Sequence, residues 1–183
     1  MIDAALRCIA RWGIGKTTLD DVAREASCSR ATIYRLFPGG KDALLNAVTR
    51  TELAGFFAGL AARFDEATNL EDLLVAGLVY THRTLAGHDA LQFVLAYEPE
   101  LVLPKVAFRQ ADRVLTTVST FAAPYLAPYV GADEAPRVAE WVARLVITYT
   151  LAPADGIDVG DETSVRRLVR TYVMPGLVSP AVQ

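Results

Sequence analysis

Residues 18–44 read TLDDVAREASCSRATIYRLFPGGKDAL, and this stretch decides how the rest of the chain is understood. Leu19, Val22, Ala23 and Ala26 recur at helical spacing, which makes a short amphipathic stripe. Thr17 or Thr18 offers a hydroxyl cap ahead of it. Asp20 and Asp21 fall in the first turn, where the helix dipole favours anions. Ser27-Cys28-Ser29 breaks the stripe, and Ser29 can cap a second short helix over Arg30 to Phe37. Pro38-Gly39-Gly40 stops that helix. Two helices of about eight residues joined by a three-residue turn predict a helix-turn-helix. Arg30, Thr32, Tyr34 and Arg35 are its polar members, with Ile33, Leu36 and Phe37 free to pack inward. Arginine reaches guanine edges or phosphate, and threonine and tyrosine hydroxyls donate to phosphate.

Upstream, Ile2, Ala5, Leu6 and Ile9 share a face opposite Asp3, Arg7 and Arg11. Trp12-Gly13-Ile14-Gly15 ends that helix. Downstream, a longer helix is expected from near Lys41 to about Phe64, with Leu44, Leu45, Val48, Phe56, Phe57 and Leu60 as apolar members. Leu70 to near Gly87, Asp89 to Tyr97, Lys105 to about Ala123 and Pro136 to Leu151 also read as helices, followed by one near the C-terminus. Glu98 to Pro104 and Pro124 to Pro136 read as connections. No segment alternates with period two and no repeat is visible, so no strand is expected. The fold class is all-α, a three-helix N-terminal domain followed by a larger helical domain.

Composition agrees. Of 183 residues, 52% are hydrophobic and 21% charged, which excludes a disordered chain. The charge is uneven. Residues 1–50 hold eight basic and five acidic groups, and the remaining 133 hold 10 and 16. A basic end on an acidic body points to nucleic acid at that end. The uncharged run Val114 to Ala132 is long enough to span a bilayer. It carries three threonines, Ser119, Pro124 and Pro128, so it is not read as a membrane helix. The N-terminus lacks the apolar run of a signal peptide. Two cysteines, Cys8 and Cys28, make no disulfide framework. The expected location is the cytoplasm.

Two tempting signals are set aside. Gly13-Ile14-Gly15-Lys16-Thr17-Thr18 imitates part of a phosphate-binding loop, but the first glycine of that motif would fall on Ala10, and the preceding segment is helical. His82 and His88 have no third ligand at metal spacing. No metal, cofactor or catalytic constellation is expected, and the chain is not read as an enzyme.

The stretch resembles the DNA-binding domain of the tetracycline-repressor (TetR) family of bacterial regulators. The resemblance rests on Thr18, Val22-Ala23, Ala26, Cys28, Ser29, Thr32-Ile33-Tyr34, Phe37, Lys41 and Leu44. Ser27 departs from it, standing where glycine is usual, and Pro38-Gly39-Gly40 is one residue longer than the commonest spacing. The resemblance implies phosphate contacts by Thr18, Tyr34 and Lys41 and base contacts by Arg30, Ala31 and Thr32, with Arg35 beside them. Ser29, the cap, completes the DNA-facing set. Cys28 stands where the family often has valine and is read as an inert thiol. The implied domains are 1–48, which reads DNA, and 49–183, which binds ligand and dimerises.

The body offers less specific signals. Aromatic and polar residues inside apolar stretches suggest a pocket, here assigned to Phe56, Phe57, Leu60, Tyr80, Phe93, Tyr97, Phe108, Arg109, Thr116 and Trp141. The helix Pro136 to Leu151 is apolar on most of its circumference, and Val165, Leu168, Val169, Tyr172 and Val173 repeat at i, i+3, i+4, i+7, i+8. Such helices form either core or a self-associating pair. The pair accounts for the excess apolar surface, so Val138, Val142, Leu145, Val165, Leu168, Val169 and Tyr172 are expected in a homodimer interface.

The functional expectation is a dimeric regulator binding double-stranded operator DNA. It is read as a repressor released by a small hydrophobic or aromatic ligand, with the helix from Lys41 carrying the shift between the two sites. The alternatives are a ligand-independent regulator controlled by a protein partner, and a helical small-molecule-binding protein or enzyme.

Overall fold

The computed structural model describes residues 1–102 and 111–178, and no strand occurs among them. The expected start of a helix at Lys105 and the pocket residues Phe108 and Arg109 lie outside the described residues. The rest divides into two compact units, 1–58 with 87–102, and 59–86 with 111–178.

The first unit contains α1 (Ile2–Lys16), α2 (Leu19–Glu25), α3 (Arg30–Leu36), the first part of α4 (Gly40–Asp65) and α6 (Asp89–Tyr97), which a short 3-10 turn at Pro99–Leu101 follows. Ala4, Ala5, Cys8, Leu19, Val22, Ala23, Ile33, Leu44 and Val48 form its core, with Phe37 half-buried against them. Leu36 does not join them as the periodicity suggested, for it is 53% exposed. It is the last residue of α3, three positions past Ile33, and the helix ends before a further turn could cover it. A second cluster, Ile9 with Ala90 and Val94, seals α6 onto α1. Burial pushes the Cys8 thiol up, so Cys8 is a small apolar residue in function. Cys28 is half-buried at the edge of the same core.

The turn between α2 and α3 bears out the tension at position 27. Ser27 has φ +51°, the left-handed region that favours glycine. A side chain there costs about 1–2 kcal/mol. Ser27→Gly is therefore expected to stabilise this unit by roughly 1 kcal/mol, less the entropy that glycine adds to the unfolded chain. A urea midpoint unchanged or lowered would refute this.

The second unit contains the last part of α4, α5 (Leu70–Ala86), α7 (Ala111–Val130), α8 (Ala135–Leu151) and α9 (Glu162–Leu168). After α9 the chain continues through a wider π turn at Val169–Val173 into α10 (Met174–Val178). The π turn places one extra residue in the helix, and such insertions need packing to hold them. Here that packing comes from Val169 and Val173, both buried.

α5 is central, burying Leu70, Leu73, Leu74, Val75, Leu78 and Val79 against α8, α9 and the π turn. α7 and α8 form an extended antiparallel pair, with Leu115, Val118, Ala143 and Ile147 at its apolar seam. α7 runs through Pro124 and Pro128 to Val130, where a link was expected from Pro124. Both prolines lie on the exposed side together with Thr120, four residues apart. Water therefore reaches the carbonyl of Thr120, which the missing proline N–H of Pro124 leaves free.

α9 is fastened to α5 by an ion-pair network. The Arg166 guanidinium donates to Glu71 Oε1 at 2.9 Å, Asp72 Oδ1 at 2.7 Å and Glu162 Oε1 at 2.9 Å, and Arg170 donates to Glu71 Oε2 at 2.8 Å. Arg170 and then Arg166 hold the Glu71 carboxyl below its usual range, and Arg166 does the same for Asp72 with help from the Thr68 hydroxyl. A cavity of about 520 Å³ lies beside this network, lined by Asn69, Tyr129 and Met174 as well as the charged groups.

This packing corrects the expected dimer face. Val138, Val165, Leu168 and Val169 are buried within the chain's own core. Within the single chain these four side chains are already covered, the last three on elements that pack on α5, so they offer little surface to a second copy. Val142 and Leu145 are half-buried. Tyr172, at 73% exposure, and Trp141 stand on the outside.

Candidate nucleic-acid interface

The site is built from three helix starts and one helix face. Thr18 is the cap of α2: its Oγ1 accepts from the Asp21 N–H at 3.2 Å, and its own N–H donates to Asp21 Oδ2 at 3.1 Å. This reciprocal pair satisfies two donors that a helix start leaves open. The Thr18 hydroxyl and backbone bonds hold the Asp21 carboxyl below its usual range. Ser29 repeats the device at α3, accepting from the Thr32 N–H at 3.1 Å, with Thr32 Oγ1 2.9 Å from its hydroxyl. Lys41 sits at the start of α4, and its Nζ donates to the Gly15 carbonyl at 3.0 Å.

Between the caps, α3 buries Ile33 completely and turns Arg30, Ala31, Tyr34 and Arg35 outward. These four positions are one and four residues apart, which is one face of a helix. Tyr34 is 51% exposed although it is a large aromatic. Arg30 pairs with Asp20 at 2.9 Å, which steadies its guanidinium across the turn while leaving it three-quarters exposed. Arg7 is engaged elsewhere, donating to Glu25 at 2.6 Å and holding that carboxyl below its usual range. All eight residues expected to face DNA thus fall on α2, α3 and α4 of one unit, and six of them are exposed. Thr32 and Lys41 are half-buried. The exposed Leu36 adds an apolar group to the same end of α3, a placement that helical periodicity alone did not suggest.

The expected pocket residues are not gathered in this way. Phe56, Phe57, Phe93 and Tyr97 belong to the first unit, and Leu60, Tyr80, Thr116 and Trp141 to the second. Tyr97, the last residue of α6, is 72% exposed, with its ring tilted against Phe93 at a centroid separation of 4.6 Å. Thr116 and Trp141 are also exposed. Leu60 is buried, and the Tyr80 ring lies over Gly59, where a side chain would collide with its hydroxyl. The second unit instead collects Phe64, Phe121 and Tyr125, with Phe64 stacked on Phe121 at 6.2 Å and tilted against Tyr125 at 5.0 Å. Phe64 and Tyr125 were not singled out from the sequence. Spacing of Phe121 and Tyr125 at i, i+4 was the one local signal, and their meeting with Phe64 is tertiary.

The Gly13–Thr18 segment is no phosphate loop. Gly13 interrupts α1 at φ +82°, ψ +171°, and the carboxylate of Glu98 already occupies the amides that follow. No described helix is long and apolar enough to cross a membrane.

Comparisons with known proteins agree with this geometry. Residues 1–48 match the family model described as bacterial regulatory proteins, tetR family. An uncharacterized HTH-type transcriptional regulator of Mycobacterium tuberculosis is 26% identical over 184 residues, covering 99% of this chain and 85% of that protein. The HTH-type transcriptional regulator BetI of Brucella suis is 28% identical over 185 residues, covering 94% and 87%. The fold matches the TetR family repressor AlkX from Dietzia with a TM-score of 0.64 at 20% identity, covering 95% of this chain and 93% of that one. The regulator FadR from Bacillus halodurans matches equally well, at 0.64 and 20%, covering 94% and 93%. The capped helix-turn-helix lies inside the matched residues, so residues 1–48 form a DNA-binding domain of the type described as bacterial regulatory proteins, tetR family, and the chain is a DNA-binding transcriptional regulator similar over most of its length to the proteins above.

Proposed function

We propose that the chain is a dimeric repressor whose α3 enters the major groove of operator DNA and whose second unit takes up a small apolar ligand that releases it. One observation carries the DNA part: the outward face of Arg30, Ala31, Tyr34 and Arg35, flanked by the capped starts of α2, α3 and α4. Arg30 and Arg35 serve as base readers, while Thr18, Ser29 and Lys41 hold phosphates at helix starts, where amide dipoles favour anions, and Tyr34 donates its hydroxyl to a phosphate from the face of α3. Thr32 and Ala31 lie close enough to the cap to meet a base edge or a thymine methyl.

A single recognition helix makes a small interface, so a two-fold pair on a near-palindromic site is required for tight binding. The exposed Trp141 and Tyr172 and the half-buried Val142 and Leu145 remain for that pairing. For the ligand, the aromatic group Phe64, Phe121 and Tyr125 supplies an apolar contact surface. Two proteins of this fold are described as a repressor implicated in n-alkane biodegradation and a regulator of fatty acid degradation, which agrees with an apolar ligand. α4 runs without interruption from the unit that carries Lys41 into the unit that carries Phe64, so it supplies a covalent path for coupling. Coupling of this kind amounts to about 1–3 kcal/mol and is reciprocal. Proteins of this family are regulators and not enzymes.

The deciding experiment is recovery of bound DNA genome-wide, followed by anisotropy titrations on the recovered duplex across a salt series. Lys41→Ala and Tyr34→Phe should weaken binding to all sequences alike. Lys41→Ala should also reduce the salt slope by about one per protomer. Arg30→Ala or Arg35→Ala should cost about 1–3 kcal/mol and relax preference at one base pair. Binding untouched by all four changes would sink the assignment. DNA occupancy that ignores alkanes and fatty acids but follows a co-purifying protein would favour the partner-controlled regulator.

A further inference from the structure

We infer that Glu98, which neither the family match nor the sequence pattern singles out, is the positioning residue that holds the DNA-reading helices in their binding arrangement. The inference rests on the reading of Thr18 and Lys41 as phosphate contacts. Gly13 leaves helical geometry at φ +82° and ψ +171°, and a fresh turn begins after it. The N–H groups of Ile14 and Gly15 therefore have no helical acceptor behind them and point the same way, a small anion-binding concavity. Glu98 fills it. Its two carboxylate oxygens accept from the Ile14 N–H at 2.6 Å and the Gly15 N–H at 2.8 Å.

The rest of the corner hangs on those two bonds. The Gly13 carbonyl accepts from both the backbone N–H and the hydroxyl of Thr17, the latter at 2.6 Å, and Thr17 is buried. Thr18, next in the chain, caps α2. The Gly15 carbonyl accepts from Lys41 Nζ. One carboxylate thus sets the backbone that positions Thr18 on one side and Lys41 on the other.

The charge has the wrong sign for any direct part in this site. A free carboxylate close to DNA-facing helix starts repels phosphate, so it belongs there only where backbone dipoles hold it for a positional purpose. Its carrier is also informative. Glu98 is the C-cap of α6, which Ile9, Ala90 and Val94 fix against α1. The position of α6 along α1 accordingly decides whether the carboxylate reaches the two amides.

The test uses the full chain and a duplex selected from random sequence with the wild type. Glu98→Gln keeps the shape but presents an amide that can accept only through one oxygen. The expected result is at least a tenfold loss of affinity, with the Ile14 and Gly15 amide protons moving upfield in NMR spectra and the far-UV melting curve still cooperative. Glu98→Ala leaves the concavity empty, and acetate, but not chloride at equal ionic strength, should restore much of its affinity. A part played only in stability would lower the melting temperature and leave the affinity of the folded protein unchanged. Both variants binding within twofold of wild type would overturn the inference. A wild type that selects no duplex at all is a different result, one that overturns the DNA reading itself.

Discussion

Val169→Glu is expected to unfold the second unit, not to separate two folded protomers. Val169 is fully buried, with Val165, Leu168 and Val173 buried beside it. A glutamate there overfills a packed core and brings a carboxyl with no partner. It either ionises at great cost or protonates and still lacks hydrogen bonds. Removing one partner of a buried pair costs about 3–5 kcal/mol, and an unpaired charge introduced here belongs in that range or above. That equals much of the stability of an ordinary domain, about 5–15 kcal/mol. Urea unfolding should show a collapsed midpoint or no folded baseline. A folded monomer with a wild-type midpoint would return Val169 to a subunit interface. Self-association is better probed at Tyr172, whose replacement by glutamate disturbs no core.

Gly13→Ala should be the most damaging small substitution in the DNA-reading unit. Two penalties act at one atom. A φ of +82° with ψ of +171° is a region essentially confined to glycine, and another residue held there costs about 1–3 kcal/mol. The new methyl would also stand 2.8 Å from three atoms of the Glu98 carboxyl group. The carboxylate must then leave, which forfeits two charge-assisted bonds worth roughly 1.5–3 kcal/mol each. The combined loss is on the order of 4 kcal/mol or more. Thermal denaturation followed by the fluorescence of the neighbouring Trp12 should show it. Gly55→Ala is the control, because a methyl at that exposed helical site meets nothing within 4 Å. A Gly13→Ala variant melting with the control would refute the account.

The sequence disclosed whatever depends on neighbours in the chain. Thr18 and Ser29 are caps because a hydroxyl at that spacing finds the amide three residues on, and both are where their context placed them. The outward face of α3 followed from Ile33 being its apolar anchor. What stayed hidden needs partners far away. Val165 and Val169 repeat as an exposed stripe would, and only the presence of α5 decides that they are core. Pro124 looks like a stop until its side of α7 is seen to face water. The segment Asp89–Tyr97 reads as one more helix of the body, and nothing local says that Ala90 and Val94 meet Ile9. The pocket suffered most, since aromatic residues scattered over several helices identify no cavity until those helices are packed.

The unit that carries the helix-turn-helix is encoded in two separate pieces, 1–58 and 87–102, whereas the family match ends at residue 48. It is therefore no detachable reading head. A chimera joined at residue 48 would set a foreign α1 against the resident α6, so that Ala90, Val94 and Glu98 would meet an apolar face and a corner they were not matched to. Recombination among relatives, in the laboratory or in evolution, preserves operator binding only when both pieces travel together or when α1 and α6 change in concert. Exchange of DNA specificity should then proceed mainly through substitutions on the open face of α3, which touches neither seam.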